Sequence, residues 1–429
     1  MEKRALIQNA FKPSSEIKNP KTFSGRKEEI LDLVDALLSD GSCPIIYGER
    51  GLGKSSLAFQ IARISLGDKE LLAEIGKADR AVTDSNRYIP VLYTCTDQVK
   101  NLPDLFDGIV GSSQAYTTLK EMDAETPGLN FSEIRYELNK EYESQYGIKF
   151  DALSPEDRFI NIIRKTITKH NKKLLFVVDE FDRINVRGGM SSFIKRMSSS
   201  KVKFILVGVA ANISSLLHEH ESIERHLVPV NINIMDNREL GSIPLKVQSM
   251  LAAKGVVVKF TEEAVAELVS AADGYPWFVH VIGQEALKIV SDEERSVVHI
   301  EDVKSAISNL ASSRFAQKFS SMYILAVGDS IQREYVLRLM AKWRDQNIPL
   351  SEIYIMAKQL QVTNPTNCKK DLCDKKYGEA IYVPIGVGGR VVRFNNAMFK
   401  RYINLRGAIY AGVVAAIGEA WKKRHPSPG

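Results

Sequence analysis

The sequence predicts an α/β fold that gives way to helical and winged-helix parts, and three features of the chain predict it. Five short apolar runs alternate with helical patterns over residues 1–236. A glycine-rich loop, Gly48 to Ser55, lies between the first run and the first strong helical pattern. Downstream the chain becomes mainly helical and ends in the order helix, helix, helix, hairpin.

The five runs cover residues 44–47, 89–95, 174–179, 204–209 and 228–234. Runs this short and continuous read as strands buried on both faces, as in a parallel sheet, and the helical patterns at 55–66 and 158–170 supply the crossovers of βαβ units. A polar stretch at 112–151 separates the second and third runs, with 133–146 readable as a helix; a structureless loop of that length is uncommon, so a partly helical insertion is expected. Its aromatics, Tyr116, Phe131, Tyr136, Tyr142, Tyr146 and Phe150, form either a partner surface or the packing of the insertion onto the body. After the fifth run come helical patterns at 238–254, at 261–272 with Thr261 as N-cap, and at 277–290. Helices at 331–344, 351–360 and 365–377 then precede a hairpin, 380–385 and 390–394, turned by Gly386-Val387-Gly388-Gly389, which is the order of a winged helix-turn-helix. A last helix is expected at 403–421, closed by Lys422-Lys423-Arg424. The expected division is therefore a nucleotide-binding domain at 1–236, a helical lid at 237–314, a winged helix at 315–404, and a C-terminal helix with a basic tail at 405–429.

At 429 residues, 44% hydrophobic and 26% charged, the composition is that of a folded globular chain and excludes wholesale disorder. Met1-Glu2-Lys3-Arg4 leads into no apolar run, and the uncharged stretch 407–418 is shorter than the roughly 20 apolar residues of a membrane span. A cytoplasmic protein with no membrane partner is expected. Four cysteines make no disulfide framework: Cys43 and Cys95 fall in strand patterns as small hydrophobes, and Cys368 and Cys373 lack the further ligands of a zinc site. The chain carries a net charge of +6, and from Phe315 onward 18 Lys and Arg stand against 8 Asp and Glu. That basic end points to an acidic partner, nucleic acid first, or to a solvated lysine-rich surface.

Gly48-Glu49-Arg50-Gly51-Leu52-Gly53-Lys54-Ser55 fits the phosphate-binding loop G-x-x-x-x-G-K-[ST], and it follows a strand and opens a helix, the context that gives the motif meaning. Glycines let backbone N–H groups approach phosphate oxygens, and the helix N-terminus, here beginning Lys54-Ser55-Ser56, adds a positive partial charge. Lys54 is placed against the β- and γ-phosphates of ATP, and Ser55 is a magnesium ligand. The run Leu174 to Val178 ends in Asp179-Glu180. A carboxylate at the C-terminal end of a buried strand faces the loop crevice, so Asp179 is assigned to magnesium and Glu180 to the attacking water.

The acidic strand end, the opening Phe23-Ser24-Gly25-Arg26-Lys27-Glu28-Glu29-Ile30 and the later Gly274-Tyr275-Pro276 together resemble the AAA+/STAND group of P-loop ATPases, in particular the origin-recognition-like ATPases of archaea and bacteria. The resemblance spans roughly residues 20–400 and implies an AAA+-type sheet. It implies base-side contacts for Phe23, Gly25 and Arg26, and base or ribose contacts for Gly274 and Pro276; plain turn chemistry is the alternative for each. It implies a γ-phosphate sensor just past the fourth strand, where Asn212 is the available amide and Ala211 the other occupant. Within His218-Glu219-His220-Glu221-Ser222-Ile223-Glu224-Arg225-His226 it implies that Arg225 reaches a neighbouring subunit's nucleotide or senses its own; the histidines also admit a metal. No arginine occurs in residues 274–278, where many relatives carry a second sensor, and this departure favours a slow switch over a fast motor.

In the third helix of the C-terminal module, Cys368 and Leu372 are spaced to face the core while Asn367, Lys369, Lys370, Lys375 and Lys376 lie outside; Arg390 and Arg393 flank the wing turn. Such a face suits double-stranded DNA, and it equally suits a helix docked within the chain or on a partner protein. The expected function is an ATP-binding, slowly hydrolysing switch whose nucleotide state controls the winged helix. A DNA-binding initiator or loader and a non-hydrolysing scaffold are the alternatives, and self-association is a further reading of Arg225.

Overall fold

The computed structural model describes residues 2–83, 87–111, 130–184, 189–209, 226–312, 317–343, 345, 347–384 and 389–425. They gather into two compact units: one comprises Lys12–Gly255 and Asp273–Trp277, the other Met1–Phe11, Val256–Ala272 and Phe278–Gly429. The lid–winged-helix boundary expected at 314/315 lies outside the described residues.

The first unit is built on five strands, β1 (Cys43–Gly48), β2 (Tyr88–Thr94), β3 (Lys173–Asp179), β4 (Val202–Val209) and β5 (Leu227–Ile232). All pairings are parallel and the order is β2-β3-β4-β1-β5. Each strand lies within two residues of its expected run; the central strands are buried on both faces, whereas β5, at the edge, is only partly buried. Since β4 separates β1 from β3, the loop leaving β1 and the acid ending β3 flank the C-terminal end of β4.

The longer helices of this unit are α1 (Lys27–Leu38), α2 (Lys54–Ser65), α3 (Leu102–Gly111), α4 (Phe131–Tyr146), α5 (Pro155–His170) and α6 (Asn237–Ala253). Local chemistry sets their ends. At α5, Ser154 accepts the Asp157 N–H, Pro155 occupies the first turn and Asn171 adopts a left-handed C-cap. Asp236 caps α6 through the Glu239 N–H at 2.7 Å. Lys203 on β4 is fully buried and satisfies the C-terminal carbonyls of α1, donating to Ala36 O at 3.1 Å and to Ser39 O.

The insertion packs onto the body through α4. Phe131, Ile134 and Leu138 join the core, Phe150 is fully buried, and the Tyr142 ring lies 5.2 Å from it. Tyr136 and Tyr146 are exposed, so the aromatics divide between packing and surface. Tyr116 lies outside the described residues.

In the second unit, α7 (Glu262–Ala272), α8 (Pro276–Asp292) and α9 (Ile300–Ser312) accompany a short parallel pair, β6 (Lys259–Phe260) and β7 (Val297–Val298); the first two residues of α8 belong to the first unit. Thr261 Oγ1 accepts the Ala264 N–H at 3.2 Å, the cap expected for α7. Then follow α10 (Gln317–Val327), α11 (Ile331–Lys342), β8 (Ile348–Pro349), α12 (Leu350–Gln359), α13 (Pro365–Leu372), β9 (Ile381–Tyr382) and β10 (Val391–Phe394). The antiparallel sheet β8-β10-β9 beside three helices is a winged helix-turn-helix.

Two helical expectations are corrected. The helix expected at 365–377 ends at Leu372; Asp374 then caps a separate turn, Lys375–Tyr377, by accepting the Lys376 N–H, and Gly378 closes it with φ 80°. The single helix expected at 403–421 is two, α14 (Ala397–Leu405) and α15 (Val413–Arg424). The break is held by a buried pair on α11. Glu334 accepts the Ile409 and Tyr410 N–H groups at 2.7 and 3.1 Å, and Arg338 donates to the carbonyls of Ile403 and Arg406 at 3.0 and 3.3 Å. Backbone groups that a continuous helix would pair are thus satisfied by side chains.

Candidate nucleotide site

The loop from β1 to α2 has the backbone that its glycines predict. Gly48 has φ 146°, and a Cβ there would overlap the Ile232 carbonyl oxygen on β5. Gly51 and Gly53 sit at φ 85° and 89°, left-handed values that bring the chain around to α2 with no side chain capping the helix. The first N–H groups of α2 are left for a phosphate. Leu52 is buried, whereas Arg50 is exposed.

Lys54 is buried, and its Nζ donates to the Glu49 carbonyl at 2.6 Å. Burial pushes its pKa down to about 8, against the pull of Asp179, Asp182 and Glu49. Ser55 and Asp179, expected to share magnesium, are hydrogen-bonded to each other. Burial pushes the Asp179 carboxyl up, opposed by that hydroxyl, by the Glu180 N–H at 2.7 Å and by the Lys54 charge. A carboxylate and a hydroxyl meeting beside the lysine are hard oxygen donors of the kind magnesium takes, so these residues fit the ion.

Glu180 follows with φ 52° and is ion-paired with Arg183, whose guanidinium also reaches Asp97 at 2.6 Å. Asp182 accepts the Val209 N–H at 2.8 Å, fastening the turn after β3 to the end of β4. Asn212 and Arg225 lie outside the described residues. His226, next in the chain, meets the Gly41 carbonyl at 3.1 Å.

On the expected base side, Phe23 is buried and its carbonyl accepts Lys246 Nζ at 2.5 Å. Gly25 has φ 69°, and a Cβ there would sit 2.6 Å from the Glu239 carboxyl carbon. Arg26, also left-handed, donates its N–H to Glu239 at 3.0 Å and its guanidinium to Glu29 at 3.0 Å and to Leu52 O at 3.2 Å. Every one of these bonds is internal. Through the Leu52 carbonyl Arg26 is tied to the phosphate loop, a contact that its sequence position did not announce.

Gly274 has φ 93° and packs on Ile234, while its carbonyl accepts the Met235 N–H at 2.8 Å. Tyr275 Oη donates to the Glu49 carboxylate and the Trp277 N–H reaches Gly51 O at 3.4 Å, so the turn that starts α8 at Pro276 touches the phosphate loop twice. Ser56 Oγ accepts the Ile17 N–H at 3.0 Å and Gln60 donates to Ile17 O at 2.6 Å, seating an N-terminal segment on α2. Sequence reasoning missed this segment because it carries no periodic pattern.

In the winged helix, Lys370, Lys375, Lys376 and Arg390 are exposed and Lys369 is half-buried, while Cys368 and Leu372 face the core as expected. Arg393 is half-buried and bonds Asn347 at 2.8 Å. The module thus exposes several basic side chains. Cys368 and Cys373 are free thiols, and among the described residues no three His, Cys, Asp or Glu gather as a metal site. Among the described residues no helix is long and apolar enough to cross a membrane.

No family model matches the sequence, and no curated protein matches it. Solved structures do. The Walker-type ATPase PABY2304 of Pyrococcus abyssi is 16% identical with a TM-score of 0.48, the match covering 91% of this chain and 99% of that one. The Aeropyrum pernix ORC2 protein, in its ADPNP–ADP complexes, is 15% identical over 97% of this chain and 98% of that one, with a TM-score of 0.47. The Aeropyrum pernix ORC1 protein in complex with DNA is 14% identical over 96% of each chain, with a TM-score of 0.41. This chain's parallel order β2-β3-β4-β1-β5, with a phosphate loop after β1 and a winged helix downstream, is the AAA+-type P-loop fold that the motifs predicted.

Proposed function

We propose that the chain is an ATP-binding switch that hydrolyses ATP slowly and whose nucleotide state governs the winged helix. The observation that supports it most is the meeting of Lys54, Ser55 and Asp179 at the open N-terminus of α2. The glycine loop and the helix N–H groups bind phosphate oxygens, and Lys54 exchanges the Glu49 carbonyl for the β- and γ-phosphates. Ser55 and Asp179 would hold magnesium, which supplies charge neutralisation at those oxygens when bound. Glu180 accepts a proton from the attacking water, for which it must leave Arg183. That ion pair, together with the missing arginine at 274–278, supports slow turnover. Phosphate release should be measured with and without duplex DNA: Glu180→Gln is expected to retain ATP and lose turnover, and an unaltered rate would move the catalytic role elsewhere.

The second reading, a DNA-binding initiator or loader, is favoured by the exposed Lys370, Lys375, Lys376 and Arg390. Stimulation of turnover by duplex DNA supports it. Retained nucleotide with no phosphate release under either condition leaves the scaffold reading.

A further inference from the structure

The phosphate loop carries a carboxylate that neither binds phosphate nor takes part in the proposed hydrolysis. Glu49 is the second residue of the loop, and its side chain is half-buried in a site built to receive the most highly charged part of a nucleotide. An anion there opposes phosphate binding in two ways: it repels the phosphates directly, and it competes with them for the Lys54 ammonium. Its field is felt at Lys54, where it favours the charged amine. The Glu49 carboxylate nevertheless leaves Lys54 Nζ to the Glu49 carbonyl, at 2.6 Å. What holds it is the hydroxyl of Tyr275, a side chain 4% exposed, whose buried phenol needs an acceptor. The backbone around Tyr275 is fixed as well: Gly274 is pinned to Met235 on one side, and the Trp277 N–H reaches Gly51 O on the other.

We infer that Tyr275 is a positioning residue for nucleotide binding, which holds the Glu49 carboxylate away from Lys54 and from the triphosphate. The inference rests on the proposed ATP site and adds a determinant of its affinity and charge preference. Without the phenol hydroxyl, Glu49 is released to turn toward Lys54, on which its charge already acts, and becomes an internal competitor of the phosphates. ATP, which engages Lys54 through its γ-phosphate as well, loses more than ADP.

Equilibrium titration of the full-length chain with Mg-ATP and with Mg-ADP tests this in four proteins: wild type, Tyr275→Phe, Glu49→Gln and the double variant. Tyr275→Phe is expected to weaken ATP binding about threefold to tenfold, the scale of one hydrogen bond, and ADP binding less. In the Glu49→Gln background the same substitution should change ATP affinity by under about twofold, because the competitor is gone. A loss that persists undiminished in that background, or equal losses for ATP and ADP, would overturn the inference, since a merely structural role for the tyrosine produces both. Should Tyr275→Phe fail to fold, Glu49→Gln alone decides: it must bind ATP at least as tightly as wild type, and weaker binding refutes the claim. Lys54→Ala separates the two levels. If it leaves ATP affinity intact, the site assignment itself fails; if it abolishes binding while Tyr275→Phe changes nothing, only the role of Tyr275 falls.

Discussion

Lys54 shows at the scale of one residue how burial shapes the site. Its pKa of about 8 means that the free protein loses the ammonium charge as pH rises through that value, while bound phosphates favour the charged form. Above about 8, binding must take up a proton, so ATP affinity should fall by up to about tenfold per pH unit. Calorimetry across about pH 7 to 10, a range that brackets the Lys54 titration, checks this, with Lys54→Arg giving a flat profile because a guanidinium stays charged. A second prediction concerns Glu180, which Arg183 holds in a pair about a third exposed on each side. Such pairs contribute little, so Arg183→Ala should raise the phosphate-release rate by only about twofold to fivefold; a fall would assign the arginine to catalysis instead. That Lys54, Ser55 and Asp179 would come together was legible in the sequence, because Lys54 and Ser55 belong to a motif of fixed spacing and Asp179 ends an apolar strand run. Tyr275 and the contacts of Arg26 were not, because their partners lie far apart in sequence, as with Arg26 and Glu239; Arg183 pairs with Glu180 only three residues away, but across a turn that no local pattern marks.

Among the elements, those defined by continuous patterns were legible: five apolar runs became five strands, and α7 began where Thr261 placed it, whereas α5 begins after the Ser154 cap, ahead of the expected start at residue 158. What the periodicity could not show is where a buried side chain overrides it. The break between α14 and α15 exists because the fully buried Glu334 takes two N–H groups from residues 409 and 410 and pairs with Arg338. Glu334→Ala should therefore cost about 3–5 kcal/mol, since it leaves the buried Arg338 without its counterion and two backbone donors without their acceptor. Urea unfolding of the full chain measures it, and a loss under about 1 kcal/mol would show that the break is set by Gly407 and Gly412 instead. Two-residue strands such as β8 escape detection for a simpler reason: they are shorter than any period they could display.

For the whole molecule, the order of modules along the chain was legible, whereas the two compact units do not follow that order, since Asp273–Trp277 belong with the nucleotide-binding unit. Hydrogen bonds that tie a downstream turn to the phosphate loop leave no trace in local pattern. If the basic side chains of the winged helix meet DNA, affinity for duplex should fall steeply with salt. Reversing Lys370, Lys375 and Lys376 to Glu should then reduce the slope by roughly one unit for each phosphate no longer neutralised. Binding that ignores salt, or a slope that the reversals leave unchanged, would place the partner elsewhere. Nucleotide binding at the loop between β1 and α2 is decided by titration of Mg-ATP into wild type and Lys54→Ala. Saturable binding by wild type that the substitution abolishes is the predicted result; retained affinity in Lys54→Ala would contradict it.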